Sequence, residues 1–176
     1  MASPQTLTEP DRRLLAGWAA LCAEHVLAFF EAPAEADAQI RDALDRAKAF
    51  ARGESTTDAE IAKRMIAVKA ASAAITPAGA AAARAVGQAA AVAHMGAHAL
   101  GAAAYAVKAR SLAAGGPAAD EELHWQLTHL GNDERAALAR LPALGSDRNG
   151  PLGPGLLSRG ILGDTIRTIQ RQIVVP

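Results

Sequence analysis

The segment GQAAAVAHMGAHALGAAAYAVKA, residues 87–109, is mostly alanine, yet it also carries two histidines, one tyrosine and one lysine. At about 100° of rotation per helical residue, these four polar side chains fall within roughly 80° of arc. They are His94, His98, Tyr105 and Lys108. Alanine has the highest helix propensity because its side chain loses no conformational entropy on folding. The segment therefore predicts an α-helical region with one narrow polar stripe.

Composition extends this prediction to the whole chain. About a quarter of the 176 residues are alanine, and only 3% are aromatic. Strands need β-branched or aromatic side chains to cover a pleated surface, and β-branched residues are scarce before residue 144. We therefore predict an all-α fold, a single domain of about six to seven packed helices. Helix pairs of similar size are consistent with a stacked arrangement, and a tail helix is expected at the C-terminus.

Charge and cysteine content narrow the function classes. Eighteen basic residues balance eighteen acidic ones, for a formal net charge of zero, so we expect neither nucleic acid nor a membrane as partner. Cys22 is the only cysteine and cannot form an internal disulfide, which favours a reducing compartment. The first thirteen residues lack the apolar core of a secretory signal, and Arg84 interrupts the alanine tract. We expect a cytoplasmic protein.

Capping residues and helix breakers predict where helices begin and end. The first helix is expected from Thr8 to about Glu31, and the second over residues 35–52. The third is expected to begin at Thr56 or Thr57. Its inward face is predicted to consist of Ile61, Met65, Val68, Ser72 and Ile75.

The next tract, from Thr76-Pro77 to Gly115, has no strong stop signal and is too long for one helix of a compact domain. We expect a break around residues 90–96 and a further helical region over 118–141. In domain terms, the sequence predicts an alanine-rich helical domain over residues 1–143, a Gly/Pro linker over 144–155 and an amphipathic segment over 156–176. This last segment either docks on its own domain or forms a homo-oligomer contact.

The two histidines, four residues apart, could reach one metal ion. However, Met95 stands where the zinc-protease motif has glutamate, and residues 61–119 contain no acidic residue. We therefore predict no metal site and no cofactor.

The polar stripe is either a solvated helix face or the wall of a groove. Histidine and tyrosine, apolar in body and polar at one end, suit a groove or an interface. In a groove that catalyses a reaction, His94 or His98 would act as acid or base and Tyr105 as an orienting donor. The predicted binding residues are His94, His98, Gly101, Tyr105, Lys108, Trp125 and Glu24.

Several stretches together resemble one protein family. They are WAALCAEHVLAFFEA (18–32), IRDALDRAKAFARGE (40–54), AVGQAAAVAHMGAHALGAAAYAVKA (85–109), HWQ (124–126) and LP (141–142). Over roughly residues 14–142 the chain is similar to the alanine-rich, immunity-five-like immunity proteins of bacterial polymorphic-toxin systems. The neutral charge and the alanine-free tail from residue 144 depart from the pattern. The resemblance implies an all-helical protein that neutralises a cognate toxin by binding it, without turnover.

Two functions from different classes follow. One is an immunity-type protein whose partner is a toxin. The alternative is a small-molecule-binding protein, or a cofactor-independent enzyme, with a helical pocket lined by His94, His98 and Tyr105. A structural scaffold is a third possibility. Convergence of the three side chains on an enclosed cavity would favour the pocket, and an open surface would favour the immunity function.

Overall fold

In the computed structural model, which describes residues 3–174, the chain forms eight α-helices and no strand. The helices are α1 (Glu9–His25), α2 (Ala34–Ala51), α3 (Thr57–Ala71), α4 (Pro77–Ala91), α5 (His98–Ala114), α6 (Gly116–Thr128), α7 (Asn132–Ala139) and α8 (Gly160–Ile173). Short 3-10 turns follow α1 and precede α8. The predicted all-α, single-domain fold is confirmed. The outermost residues of the predicted segments 1–143 and 156–176 lie outside the described range.

Threonine caps begin three of the helices where the sequence predicts them. The hydroxyls of Thr8, Thr56 and Thr76 accept hydrogen bonds from backbone N–H groups three residues further on. Each bond satisfies one of the amide groups that a helix N-terminus leaves without a partner. The predicted end of the first helix near Glu31 is wrong. The chain leaves helical geometry at Val26, and the following 3-10 turn brings Phe30 into the core.

The alanine tract forms the centre of the fold as two helices, α4 and α5. Helix α5 contacts α1, α4, α6 and α8, and every residue from Ala99 to Val107 is buried. Small side chains allow helix backbones to approach closely, so this core is built from close contacts rather than from large apolar groups. Within residues 3–174, no helix has both the length and the apolar character needed to cross a bilayer.

The expected break in the alanine tract lies at residues 92–97, between α4 and α5. The chain's own N-terminal segment satisfies the backbone here: the N–H groups of Gly96 and Ala97 donate to the carbonyls of Thr6 and Gln5, at 3.0 and 3.1 Å. The break is therefore an ordered connection. Its amide groups donate to the N-terminal segment, whereas in a continuous helix they would donate to carbonyls of the same helix.

The buried side chain of Gln5 extends this connection to the C-terminal part of the chain. Its Nε2 donates to the carbonyl of Asn149 at 2.7 Å, and its Oε1 accepts from the N–H of Leu152 at 2.9 Å. Leu152 is itself buried, so the Gly/Pro-rich stretch is held against the fold at this point. Beyond it, α8 packs on α5 and α7. The buried side chains of α8 include Leu162, Ile166 and Ile169.

Helix α3 packs in the opposite sense to its predicted orientation. Met65 and Val68 are each 52% exposed, and Ile75, just after the helix, is 70% exposed. The buried residues of α3 are Glu60, Ala67, Ala70 and Ala71. The prediction failed because α3 meets its neighbours through small side chains that permit close approach. The larger apolar groups therefore remain on the open side.

Candidate functional site

A cleft of about 320 Å³ lies between α3, α4 and α5; we call it the α3–α5 cleft. Its apolar walls include Met65 and Val68 from α3 and Gly87 and Ala91 from α4. The polar side chains that line it are Arg64, Arg84, Gln88, His94, His98 and Tyr105. Apolar walls with a few convergent polar groups are typical of ligand sites.

His98 is held at this cleft by Gln88. Its Nδ1–H donates to Oε1 of Gln88 at 2.8 Å. Burial lowers the pKa of His98 to about 4, and the nearby charges of His94 and Arg64 act in the same direction. The ring is therefore neutral at neutral pH. With its proton on Nδ1, the ring presents Nε2 as a hydrogen-bond acceptor, and Nε2 has no hydrogen-bond partner within residues 3–174.

Gly101 provides the space for this arrangement. It lies on α5 one turn beyond His98, and an added Cβ would overlap Oε1 and Cδ of Gln88 and approach Leu157. A glycine here lets the Gln88 side chain lie against the α5 backbone and reach the imidazole. Gly101 thus acts on the cleft through Gln88 rather than by lining it.

Tyr105 places a phenol at the same cleft. The residue is only 4% exposed. Burial raises the pKa of its hydroxyl, against a smaller opposing effect of Arg84. Among the described residues the hydroxyl has no hydrogen-bond partner. At neutral pH it is therefore protonated and can both donate to and accept from a ligand.

The two arginines of the cleft have no carboxylate partner within residues 3–174. Arg64 bonds only to the carbonyl of Ile61, at 3.4 Å, and Arg84 forms no ion pair there. No acidic side chain lines the cleft, and the nearest acid before Arg64, Glu60, is paired with Arg46 at 3.0 Å. The cleft therefore combines apolar walls with uncompensated positive charge.

The structure brings together three of the predicted site residues, His94, His98 and Tyr105. They do not share one helix, as a continuous stripe requires. His94 lies in the connection before α5, and α5 begins at His98. Because the turn, and not helical periodicity, carries His94 to the cleft, the single-stripe prediction is wrong at its N-terminal end. Lys108, further along α5, does not line the cleft.

Glu24 and Trp125 also lie away from the cleft, and their predicted binding roles stay predictions. Glu24 is exposed and accepts from Lys48 Nζ at 2.6 Å. Trp125 stacks on His25, with ring centroids 3.7 Å apart, and the His129 ring lies tilted against it, with centroids 4.2 Å apart.

Five residues that line the cleft were not among the predicted site residues. They are Arg64, Met65, Val68, Arg84 and Gln88. A signal was available for two of them. Arg84 and Gln88 are four residues apart and are the only strongly polar residues between Thr76 and His94, so they share one helix face. Met65 and Val68 carried no such signal, because their apolar spacing placed them on the predicted inward face of α3.

A second polar cluster lies in the core between α1, α5 and α6. Glu122 is buried; its Oε2 lies 2.7 Å from His25 Nδ1, and its Oε1 accepts from Gln126 Nε2 at 3.0 Å. Gln126 Nε2 also donates to the carbonyl of Ala103, and Trp18 donates to the carbonyl of Gln126. These bonds join three helices and give the cluster a role in packing. Across the described residues, no three His, Cys, Asp or Glu side chains meet in a metal-binding arrangement.

The sequence model of the family described as "Imm-5 like putative immunity protein" matches residues 5–133. The chain belongs to this family, which confirms the resemblance seen in the sequence. The match includes all three helices of the cleft and ends at the start of α7. No curated protein and no solved structure matches the chain.

Proposed function

We propose that this protein is an immunity factor that neutralises a cognate protein toxin in the cytoplasm by binding it, without turnover. Family membership over residues 5–133 supports an immunity-type role. The observation that carries the binding proposal is the open side of α3. In a chain with few large apolar residues, Met65, Ile66 and Val68 are left 52%, 38% and 52% exposed beside the cleft.

The composition of this face suits a protein partner. Exposed apolar groups gathered on one surface mark interaction sites more often than isolated ones do. Methionine and arginine are enriched in protein interfaces, and both occur here, as Met65 and Arg64. We therefore place the toxin contact on the α3 face and the mouth of the α3–α5 cleft.

The test begins with capture of the partner from the native host with the tagged full-length chain. The gene of the captured protein is then expressed in a growth assay, alone and together with this chain. We expect growth inhibition that co-expression relieves. A clean monomer with no partner, or a captured protein that is not toxic, would contradict the proposal.

A matched pair of variants tests the location. Val68→Glu places a charge on the α3 face, whereas Leu112→Glu places one at a similarly exposed position, 49% exposed, near the end of α5. We expect Val68→Glu to lose protection and Leu112→Glu to keep it, with both variants folded by circular dichroism. Equal protection by the two would remove the α3 face from the proposal.

One observation favours a second candidate function. His94, His98 and Tyr105 converge on a partly enclosed cleft, the arrangement expected of a small-molecule site or a cofactor-independent acid–base enzyme. Here His98 Nε2 would accept a proton and Tyr105 would orient the ligand. Mass spectrometry of protein purified from the native host tests this candidate. A bound small molecule that is lost in His94→Ala, at unchanged thermal stability, would favour it over toxin binding.

A further inference from the structure

We infer that the α3–α5 cleft binds a small organic acid: a carboxylate carried on an apolar body. This inference goes beyond toxin neutralisation and does not depend on it. It follows from three features of the cleft, which are its unpaired positive charge, the groups on its floor and its apolar walls.

The positive charge of the cleft favours an anionic ligand. Arg64 and Arg84 both line it, neither has a carboxylate partner within residues 3–174, and no acidic residue occurs from 61 to 119. Elsewhere on the surface, arginines such as Arg41 and Arg52 pair with a nearby acid. Cations beside a partly desolvated apolar cleft gain most from an opposite charge that forms direct hydrogen bonds.

The hydrogen-bonding groups of Tyr105 and His98 indicate where in the cleft the anion would lie. The Tyr105 hydroxyl can donate a hydrogen bond to a carboxylate oxygen, and Arg84 lines the same cleft. His98 Nε2, by contrast, presents a lone pair, which repels an anionic oxygen. We therefore place the carboxylate between Arg84 and Tyr105, away from the His98 ring.

The walls and the size of the cleft describe the rest of the ligand. Met65, Val68 and Ala91 present carbon surface, which favours an aliphatic or aromatic body. The volume of about 320 Å³ lies at the low end of the range for small-molecule sites. Tyr105 is recessed at 4% exposure, so a slim free acid reaches it more readily than a folded protein surface does.

The test uses phenylacetate as the probe and 2-phenylethanol as its uncharged counterpart. Each is titrated into the purified full-length chain at neutral pH and constant ionic strength, and binding is followed by calorimetry and by the imidazole NMR signals of His94 and His98. We expect saturable binding of phenylacetate, at least about tenfold tighter than the alcohol, because a charged hydrogen-bond partner is worth about that factor.

Single substitutions test whether Arg84 and Tyr105 bind the carboxylate of phenylacetate. Arg84→Gln is expected to weaken phenylacetate binding about tenfold, and Tyr105→Phe severalfold, with alcohol binding unchanged in both. The control is Arg148→Gln, which removes an exposed arginine that has no carboxylate partner within residues 3–174 and does not line the cleft. We expect this variant to bind phenylacetate as the unmodified chain does.

Equal affinity for acid and alcohol, no saturable binding of phenylacetate, or an Arg84→Gln variant that binds as well as the control would each overturn the inference. None of these results affects the growth assay. Conversely, a chain that fails to protect against any toxin but binds phenylacetate through Arg84 retains the inference and loses the proposed function.

Discussion

Gln88 on α4 and His98 on α5 are joined by a hydrogen bond of 2.8 Å across the break in the alanine tract. The bond holds the imidazole at the cleft with its proton on Nδ1 and its Nε2 free to accept. Gly101 makes the bond possible, because a side chain at that position would occupy the space of the Gln88 amide. The packing of α4 on α5 at Gly101 thus sets the position of the Gln88 amide, which in turn orients the His98 ring at the cleft.

Substitution of Gly101 tests this arrangement. Gly101→Ala is expected to displace the Gln88 amide, which ends a flexible side chain, and so to break its hydrogen bond to His98. The loss of that bond should lower the free energy of unfolding by about 1 kcal/mol. The control is Gly87→Ala on α4, where the nearest atom to the added Cβ is Ala67 Cβ at 3.9 Å. This variant should gain up to about 1 kcal/mol from higher helix propensity. Urea denaturation measures both. Similar stabilities would mean that Gln88 does not lie against Gly101.

Acid should destabilise the protein through His98. Its pKa is about 4 in the folded chain, against 6.5 without perturbation, so between these values the unfolded chain binds a proton that the folded chain does not. The contribution of His98 to the free energy of unfolding therefore has its full value above about pH 6.5 and decreases as the pH falls toward 4. The loss amounts to about 3 kcal/mol at most.

Urea denaturation across this pH range tests the prediction. His98→Gln should show a shallower pH dependence than the unmodified chain, and His124→Gln, at an exposed position on α6, should show the same dependence as the unmodified chain. His94 and Arg64, whose electrostatic effects lower the pKa of His98, are present in all three proteins. Identical slopes for His98→Gln and the unmodified chain would contradict a lowered pKa of His98 in the folded chain.

The buried side chain of Glu122 should contribute far more to the free energy of unfolding than the exposed side chain of Glu121. Glu122→Ala removes the side-chain partner of His25 and one of the two acceptors of the Gln126 amide, and it leaves a cavity in the core, at a cost of about 3 kcal/mol. Glu121→Ala, one residue earlier and exposed, should stay within about 0.5 kcal/mol of the unmodified chain. Thermal or urea unfolding compares the pair. A small effect at Glu122 would show that the cluster does not contribute to packing.

Cys22 should be chemically inert in the folded protein. The thiol is fully buried on α1, and burial, with a further contribution from Glu122, raises its pKa well above the usual range. The reactive thiolate is therefore scarce, and reagents reach it only when the structure opens. Ellman's reagent should react completely with the urea-unfolded chain and negligibly with the native chain over the same time. Rapid stoichiometric reaction of the native chain would contradict the buried position.

Local features of the fold could be predicted well. The threonine caps at Thr8, Thr56 and Thr76 and the helical alanine tract follow from interactions between residues close in sequence, and the break near residues 90–96 was predicted from the length of the tract. The orientation of α3 could not be predicted in this way. Its apolar spacing is compatible with either face turned inward, and the choice depends on how closely α3 can approach its neighbours through alanine.

By itself, the sequence determined that this protein is helical, roughly where its helices begin and to which family it belongs, since propensity, capping and family motifs reside in contiguous residues. Only the tertiary structure decided that Arg64, Arg84, His98 and Tyr105 face one cleft and that Met65 and Val68 stay exposed beside it. The physical reason is that three helices must pack at particular distances and angles to form the cleft. In an alanine-rich core those distances are set by close contact between backbones, which no periodicity along a single helix encodes.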